Sequence, residues 1–276
     1  MSVLRPPRPW HGLRASSDTR IAGNIQRFQQ RVRWDEVERI RRPDGWAERI
    51  EMVVPCYNHG RYLPEAFEAL VGQSLRVPMT VTLVDDNSSD DSLSVMGEVA
   101  AGAPDWLDVR VLHNERNLNQ AGSINRAVAD SDNALFVILN ADDVLTSDCM
   151  EVIVRTYEQE PDIYLLGGTN IMFHDDPPFE QHVPVPVEDL VMHRFGPEDA
   201  PQFDHLNAIN MSQSSCSFFR PAWEAVDGYW PRRSRVCSFD DRDFQMRVCA
   251  VLPIGIYEDY PMEFWRLSSS QQRATI

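Results

Sequence analysis

Three acidic clusters stand out as residues able to do chemistry. The first, Val84-Asp85-Asp86-Asn87-Ser88-Ser89-Asp90, sets two carboxylates at the end of an apolar run. Ionised carboxylates accept hydrogen bonds and could take them from a base N–H or a ribose hydroxyl; the ordinary alternative is an Asx-type turn capping the next helix. The second, Leu139-Asn140-Ala141-Asp142-Asp143-Val144, is sharper. Adjacent carboxylates suit a hard divalent cation that keeps waters and grips phosphates, although acids at a helix start have the same composition. The third, Phe239-Asp240-Asp241-Arg242-Asp243, runs into an apolar helix through Phe244, Met246, Val248 and Val251. An Asp there could serve as a general base or simply cap the helix.

The elements that must position these clusters can be read from hydrophobic spacing. Short apolar runs predict strands at 51–57, 79–84, 109–113 and 134–139. Amphipathic spacing predicts helices near 62–70, 92–101, 120–129 and 148–158, with Pro64 acceptable in a first turn. Strand and helix alternate, which implies right-handed βαβ units and a largely parallel sheet, whose ligands bind beyond the carboxyl ends of the strands. The polar stretches 58–61, 85–91 and 140–143 each follow a different strand, so one crevice should gather them.

In this order the motifs resemble glycosyltransferase family 2. The resemblance is carried by Val54-Pro55-Cys56-Tyr57-Asn58, Val84-Asp85-Asp86-Asn87-Ser88, Asn140-Ala141-Asp142-Asp143, the stretch from Ser215 to Tyr229, and Asp240-Asp241-Arg242-Asp243. It spans about Ile50 to Gln271. It implies a GT-A fold, a Rossmann-like, mostly parallel α/β sheet flanked by helices, and an inverting transferase using a nucleotide sugar, UDP being the commoner family choice. Position by position, it implies that Pro55, Tyr57, Asn58 and Asp86 form the nucleotide pocket and that Asp142 touches the ribose or the metal shell. Asp143 would ligate Mn²⁺ or Mg²⁺, and Asp241 would be the catalytic base. Asp240, Trp223 and Arg266 are further candidates for diphosphate or acceptor contacts, with packing as the alternative for Trp223, Tyr229 and Trp230 and a surface position for Arg266.

Two departures matter. Asn140 stands where many relatives carry a further Asp, and Ser268 replaces a His in the stretch Phe264-Trp265-Arg266-Leu267-Ser268. No Gln-x-x-Arg-Trp string occurs, so single transfer rather than processive synthesis is expected. The dispersed histidines, His59 among them, read as ordinary surface or core residues.

Composition bounds the rest. The 276 residues are 43% apolar, enough for a sizeable core, and carry a net charge of −16, which argues against nucleic acid as a partner. Lysine is absent, so every basic side chain apart from histidine is Arg. Residues 1–49 hold 11 Arg against 6 acids and read as an arm followed by one or two amphipathic helices over 24–41, forming an N-terminal helical extension. These helices could pack on the domain, lie on an anionic membrane or, in a noncatalytic relative, dock a partner. The main domain is expected over 50–276, with a nucleotide-sugar half at 50–145 and an acceptor half at 146–276. Residues 173–213 read as an irregular loop or lid.

Five scattered cysteines without CxxC spacing fit reduced thiols. No apolar stretch is long enough for a transmembrane span, and the start lacks the apolar run of a signal peptide. A cytoplasmic protein acting on a soluble small-molecule, saccharide or peptide acceptor is expected; a homodimer is allowed.

Overall fold

The computed structural model describes residues 18–202, 211–230 and 234–267. The sheet is built first from β1 (Ile50–Cys56), β2 (Met79–Asp85), β3 (Leu107–His113) and β4 (Leu135–Ile138). Between them run α3 (Leu63–Val71), α4 (Ser92–Ala101) and α5 (Asn119–Ala129). All pairings in this half are parallel, in the order β3-β2-β1-β4. Buried on every side chain, β1 and β4 have no solvent face, which is why β4 appears in the sequence as an unbroken apolar run and β1 as one interrupted only by the buried Glu51.

The second half is mixed rather than parallel. It comprises β5 (Val144–Leu145), α6 (Cys149–Gln159), β6 (Leu165–Phe173), β7 (His193–Phe195), β8 (Ser217–Phe219), α7 (Arg220–Ala225), α8 (Asp240–Cys249) and β9 (Ile254–Arg266). Strand β8 enters antiparallel between β4 and β6, while β5 and β7 pair antiparallel with β9. The mostly parallel sheet expected is found, since β6 also pairs parallel with β9 along its whole length, and antiparallel entry is confined to β8 and the short β5 and β7. The physical reason is that β8 follows a long excursion across the sheet instead of a single crossover helix, so nothing imposes parallel entry. Residues 173–213 are irregular as expected: where described they form short 3₁₀ turns and β7, with 203–210 outside the described residues.

The N-terminal helices are α1 (Asp18–Gln29) and a single turn, α2 (Trp34–Val37). Helix α1 begins earlier than the start at residue 24 that its apolar spacing predicted; residues 1–17 lie outside the described residues. Ile21 and Ile25 are buried in the main core, and Asn24 Nδ2 donates to the Val236 carbonyl at 2.9 Å. Gln29 Nε2 donates to the Pro197 and Ala250 carbonyls at 2.8 and 3.0 Å. Further on, Arg42 sits over the Phe219 ring at 4.6 Å and donates to the Tyr157 carbonyl. Packing on the domain is thus the arrangement found for the described part of this extension.

Two buried polar devices hold the second half together. Asp243 and Arg247, both fully buried, pair at 2.7 Å across one turn of α8; Arg247 Nη1 also donates to the Val226 carbonyl, and Asp243 accepts from Val236 N. Removing one member of such a pair strands the other's charge in the core. Asp243→Ala is expected to lower unfolding stability by about 3–5 kcal/mol, read in urea melts; a loss under about 1 kcal/mol would show that the pair is not holding α8. The second device straps 177–190 to α6. His182 Nε2 lies 2.7 Å from Asp148 Oδ1, and Tyr260 Oη donates to the other Asp148 oxygen. Against the cost of burial, these bonds depress the Asp148 pKa, so their stabilisation is present at neutral pH and is lost as pH falls through that depressed value.

Candidate active site

The site forms where β1, β2 and β4 end side by side. Three turns there use left-handed asparagines, Asn58 (φ 57°), Asn87 (φ 61°) and Asn119 (φ 62°), a conformation Asn tolerates better than other side chains with a Cβ. Asn58 is locked by its neighbours: its N–H donates to Ser88 Oγ at 3.0 Å, and its Oδ1 accepts from Ser89 N at 2.7 Å. Pro55 is buried within β1, whereas Tyr57 is 39% exposed, leaving an aromatic face open beside the turn.

Asp85 and Asp86 divide their work. Asp85 accepts from Ser88 N and lies 2.8 Å from His113 Nδ1, so it closes the turn. Asp86 is buried and accepts from Asn114 Nδ2 at 2.8 Å and Leu118 N at 2.7 Å. The loop that satisfies Asp86 leads into α5, whose Gln120 donates to Asn140 Oδ1. Asn140 Nδ2 then donates to Asp143 Oδ2 at 2.9 Å. Hydrogen bonds thereby join the first acidic cluster to the second.

Asp142 and Asp143 occupy the turn between β4 and β5. Only 1% exposed, Asp143 accepts from Asn140, from Ser214 Oγ at 2.7 Å and from Arg266 N at 3.1 Å. Burial first, and then the Asp142 charge, push its pKa above the usual carboxylate range. Asp142 turns a carboxylate oxygen toward His59, with Nδ1 to Oδ2 at 3.6 Å. Behind the pair lies Glu263, fully buried on β9, which accepts from Ser212. Burial and the Asp143 charge hold the Glu263 carboxyl well above its ordinary range. The region is rich in acid, and the Arg266 guanidinium is the positive charge packed against it.

Arg266 is buried rather than superficial. Its Nε donates to the Asp142 carbonyl at 2.9 Å and its Nη1 to the Asp175 carbonyl at 2.8 Å, while Nη2 pairs with Glu65. Its guanidinium lies over the rings of Tyr62 and Phe173 at 4.6 and 4.4 Å. It therefore clamps the acid turn from behind. Ser268 lies outside the described residues.

At the third cluster, Asp243 is engaged with Arg247 and Asp240 pairs with Arg235 at 3.3 Å. Asp241 has one hydrogen bond among the described residues, from Arg242 N at 2.7 Å. Burial, with a further push from Asp240, raises its pKa. Burial and then the fields of Asp241 and Glu263 also raise the Cys216 thiol, which places both acids near that residue. Glu263 in turn feels Asp143 and Asp142.

The aromatic candidates take packing roles. Trp223 Nε1 donates to Asn125 of α5 at 3.0 Å, Tyr229 stacks on Phe244 with centroids 4.2 Å apart, and Trp230 meets Phe28 and Arg247. Sequence reasoning passed over His59, Asn114, Gln120, Ser214 and Glu263. Each acquires its role through a contact with a residue distant in the chain, and none sits in a recognisable spacing.

Residues 52–225 match the family described as Glycosyl transferase family 2. The chain belongs to glycosyl transferase family 2. Family relatives include the glycosyltransferase GlyG of Streptococcus pneumoniae, 30% identical over 123 residues, covering 44% of this chain and 39% of that protein. Another is the undecaprenyl-phosphate 4-deoxy-4-formamido-L-arabinose transferase of Sodalis glossinidius, 35% identical over 124 residues, or 44% of this chain and 36% of that one. The chain thus spans roughly two-fifths of the length of these relatives.

Solved folds agree with the family. The Staphylococcus aureus TarS 1–349 complex with UDP-GlcNAc superposes with a TM-score of 0.61 at 14% identity, over 83% of this chain and 61% of that one. The mannosyltransferase PcManGT of Pyrobaculum calidifontis, bound to GDP-Man and Mn²⁺, gives 0.56 at 16% identity, over 93% and 70%. The GT-A fold expected from the motifs is the fold found.

Proposed function

We propose that this family 2 member is a cation-dependent, inverting transferase that moves a sugar from a nucleoside diphosphate sugar, UDP-linked by preference, to a hydroxyl of a soluble small-molecule, saccharide or peptide acceptor. One observation carries the reading: the buried acid pair at the end of β4 is tied through Asn140, Gln120 and the loop before α5 to the Asp86 corner. The donor set fits Mn²⁺ or Mg²⁺, which need only one or two carboxylates because phosphate and water complete the shell. Asp143 would hold the cation, with Asp142 beside it. A cation bound there supplies Lewis-acid stabilisation of the charge that develops on the departing diphosphate.

The remaining chemistry belongs to the chain's own residues. Pro55, Tyr57, Asn58 and Asp86 bind the nucleoside, Tyr57 through its open face and Asp86 through its fixed carboxylate. Asp241 takes the proton from the acceptor hydroxyl as the oxygen attacks from the face opposite the diphosphate, and Asp240 keeps that base strong by its charge. Arg266 positions the acid turn. Residues 50–145 serve the donor and 146–276 the acceptor. The five cysteines are all free and buried, which suits a reducing cytoplasm. Among the described residues no helix is long and apolar enough to cross a membrane. A noncatalytic relative that docks a partner through residues 1–49 is disfavoured by α1, whose Ile21 and Ile25 are already buried in the main core.

A thermal-shift screen of nucleoside diphosphate sugars tests this reading. A donor at a hundred times its Kd should add about 2.7 kcal/mol, or about 5–10 °C, in the presence of Mn²⁺ and lose most of that shift in EDTA. No shift with any nucleotide sugar would overturn it.

A further inference from the structure

We propose that Gln245 is a positioning residue for Asp241: its amide turns from the Cys216 thiol to donate to the ionised Asp241 carboxylate, and so fixes which oxygen faces the acceptor. The inference rests on the reading of Asp241 as the base.

Three glutamines are buried among the described residues, and their amides are used differently. Gln73 Nε2 donates to the Ala69 and Thr146 carbonyls at 3.0 and 2.8 Å, and its Oε1 accepts from Met150 N at 2.9 Å. Gln213 Nε2 donates to Tyr229 Oη at 3.0 Å. Gln245 is fully buried, yet among the described residues no oxygen or nitrogen bonds either end of its amide. Its polar neighbour is the Cys216 thiol, a weak donor and a weak acceptor. Burying an amide against so weak a partner costs stability, and a second state in which the amide is well bonded explains why it is there.

Helix α8 supplies the partner. Gln245 lies four residues after Asp241, so the two side chains share a face one turn apart. Long helical side chains lean toward the N-terminus over the preceding turn, which sends the Gln245 amide toward Asp241 rather than away from it. Cys216 marks the same spot, since it is hydrogen-bonded to Gln245 and lies in the field of Asp241. Asp241 has room for the bond. An ionised carboxylate accepts at about four positions, and Arg242 N takes one of them, on Oδ1. A hydrogen bond to a charged carboxylate is stronger than one to a thiol, so ionisation of Asp241 drives the turn. The turned amide stops the carboxylate from rotating and leaves a lone pair aimed at the acceptor proton.

Groups facing Asp241 are Asp240 and Arg242 on its own helix, and Cys216, Tyr229 and Cys237 from the segments packed against it. Burial raises both thiols and the phenol, so none of these three titrates near neutral pH.

Nuclear magnetic resonance of the full chain, with nitrogen-15 in Gln amides and carbon-13 in Asp carboxyls, reads the contact without turnover. Asp241→Asn identifies the carboxyl signal; Gln245→Met, similar in length but without the amide donor, identifies the amide signal. In the wild type the Gln245 amide should shift with the same midpoint as the Asp241 carboxyl. In Gln245→Met that midpoint should rise by about 1 pH unit or more, because a hydrogen bond to the charged form favours it. Hydrolysis of the donor chosen by the thermal-shift screen should slow by about 10- to 10²-fold in Gln245→Met, with UDP affinity within about twofold of wild type. An amide signal indifferent to Asp241 ionisation, or an unchanged Asp241 midpoint or hydrolysis rate in the variant, would overturn the role of Gln245 and leave the base assignment standing. Hydrolysis by Asp241→Asn at the wild-type rate would overturn both.

Discussion

Asp241→Asn should cut turnover by about 10²–10⁴ while nucleotide affinity stays within about twofold, because general-base transfer contributes to the transition state and hardly to donor binding. Its neighbours explain why Asp241, rather than the other acids of its motif, carries this prediction. Asp243 is bound to Arg247 in the core and Asp240 pairs with Arg235 at the site's edge, whereas Asp241 accepts from the Arg242 backbone N–H and has no ion pair among the described residues. The side chain must be ionised to accept a proton. Since burial and Asp240 raise its pKa, the acid limb of kcat should lie above the ordinary carboxylate range, with turnover rising as pH rises through it. Asp240→Asn removes a charge that favours the protonated form, so that limb should move to lower pH. An Asp241→Asn enzyme with normal turnover would contradict the assignment.

Asp143→Ala should abolish cation-dependent donor binding, and the conservative Asp143→Asn should do nearly the same while stabilising the ligand-free fold. The sign follows from linkage. A carboxyl whose folded pKa is raised binds its proton more tightly when folded, so it favours folding at pH below its unfolded pKa and loses that contribution as pH rises. At neutral pH the Asp143 carboxylate is thus a burden on the ligand-free protein, crowded by Asp142 and Glu263. Asn relieves that burden, so the Tm of Asp143→Asn should exceed wild type at neutral pH, with the difference shrinking toward acid. Cation affinity of the wild type should fall as the pH is lowered, beginning above the range of an ordinary carboxylate. A variant less stable than wild type at every pH would show that Asp143 is held for structure and not for a cation.

The parts legible in the sequence were those whose signal is local. Helix α4 lies at the expected 92–101 and β2 within a residue of 79–84, because amphipathic or apolar spacing there has no competitor. The order of five motifs led to the family and the fold. Much of the second half escaped because its logic is long-range: β8 is three residues long, and its antiparallel entry depends on β4 and β6 flanking it. The site shows the same divide. Asp142 and Asp143 advertise themselves as neighbours in the chain, but Ser214, 71 residues from Asp143, gives no sign of bonding to it. Arg266 also illustrates the limit, since its type suggested phosphate or solvent and only packing reveals a clamp across Glu65, Asp142 and Asp175.

Calorimetric titration of UDP into the wild-type chain, with and without Mn²⁺ and beside Asp143→Ala, is the most direct test of an acid pair that recruits a cation to the donor diphosphate. Binding at least about tenfold tighter with Mn²⁺ in the wild type, with that gain lost in the variant, is the expected result, a coupling of about 1.4 kcal/mol or more. UDP binding of equal strength in all four titrations would contradict it.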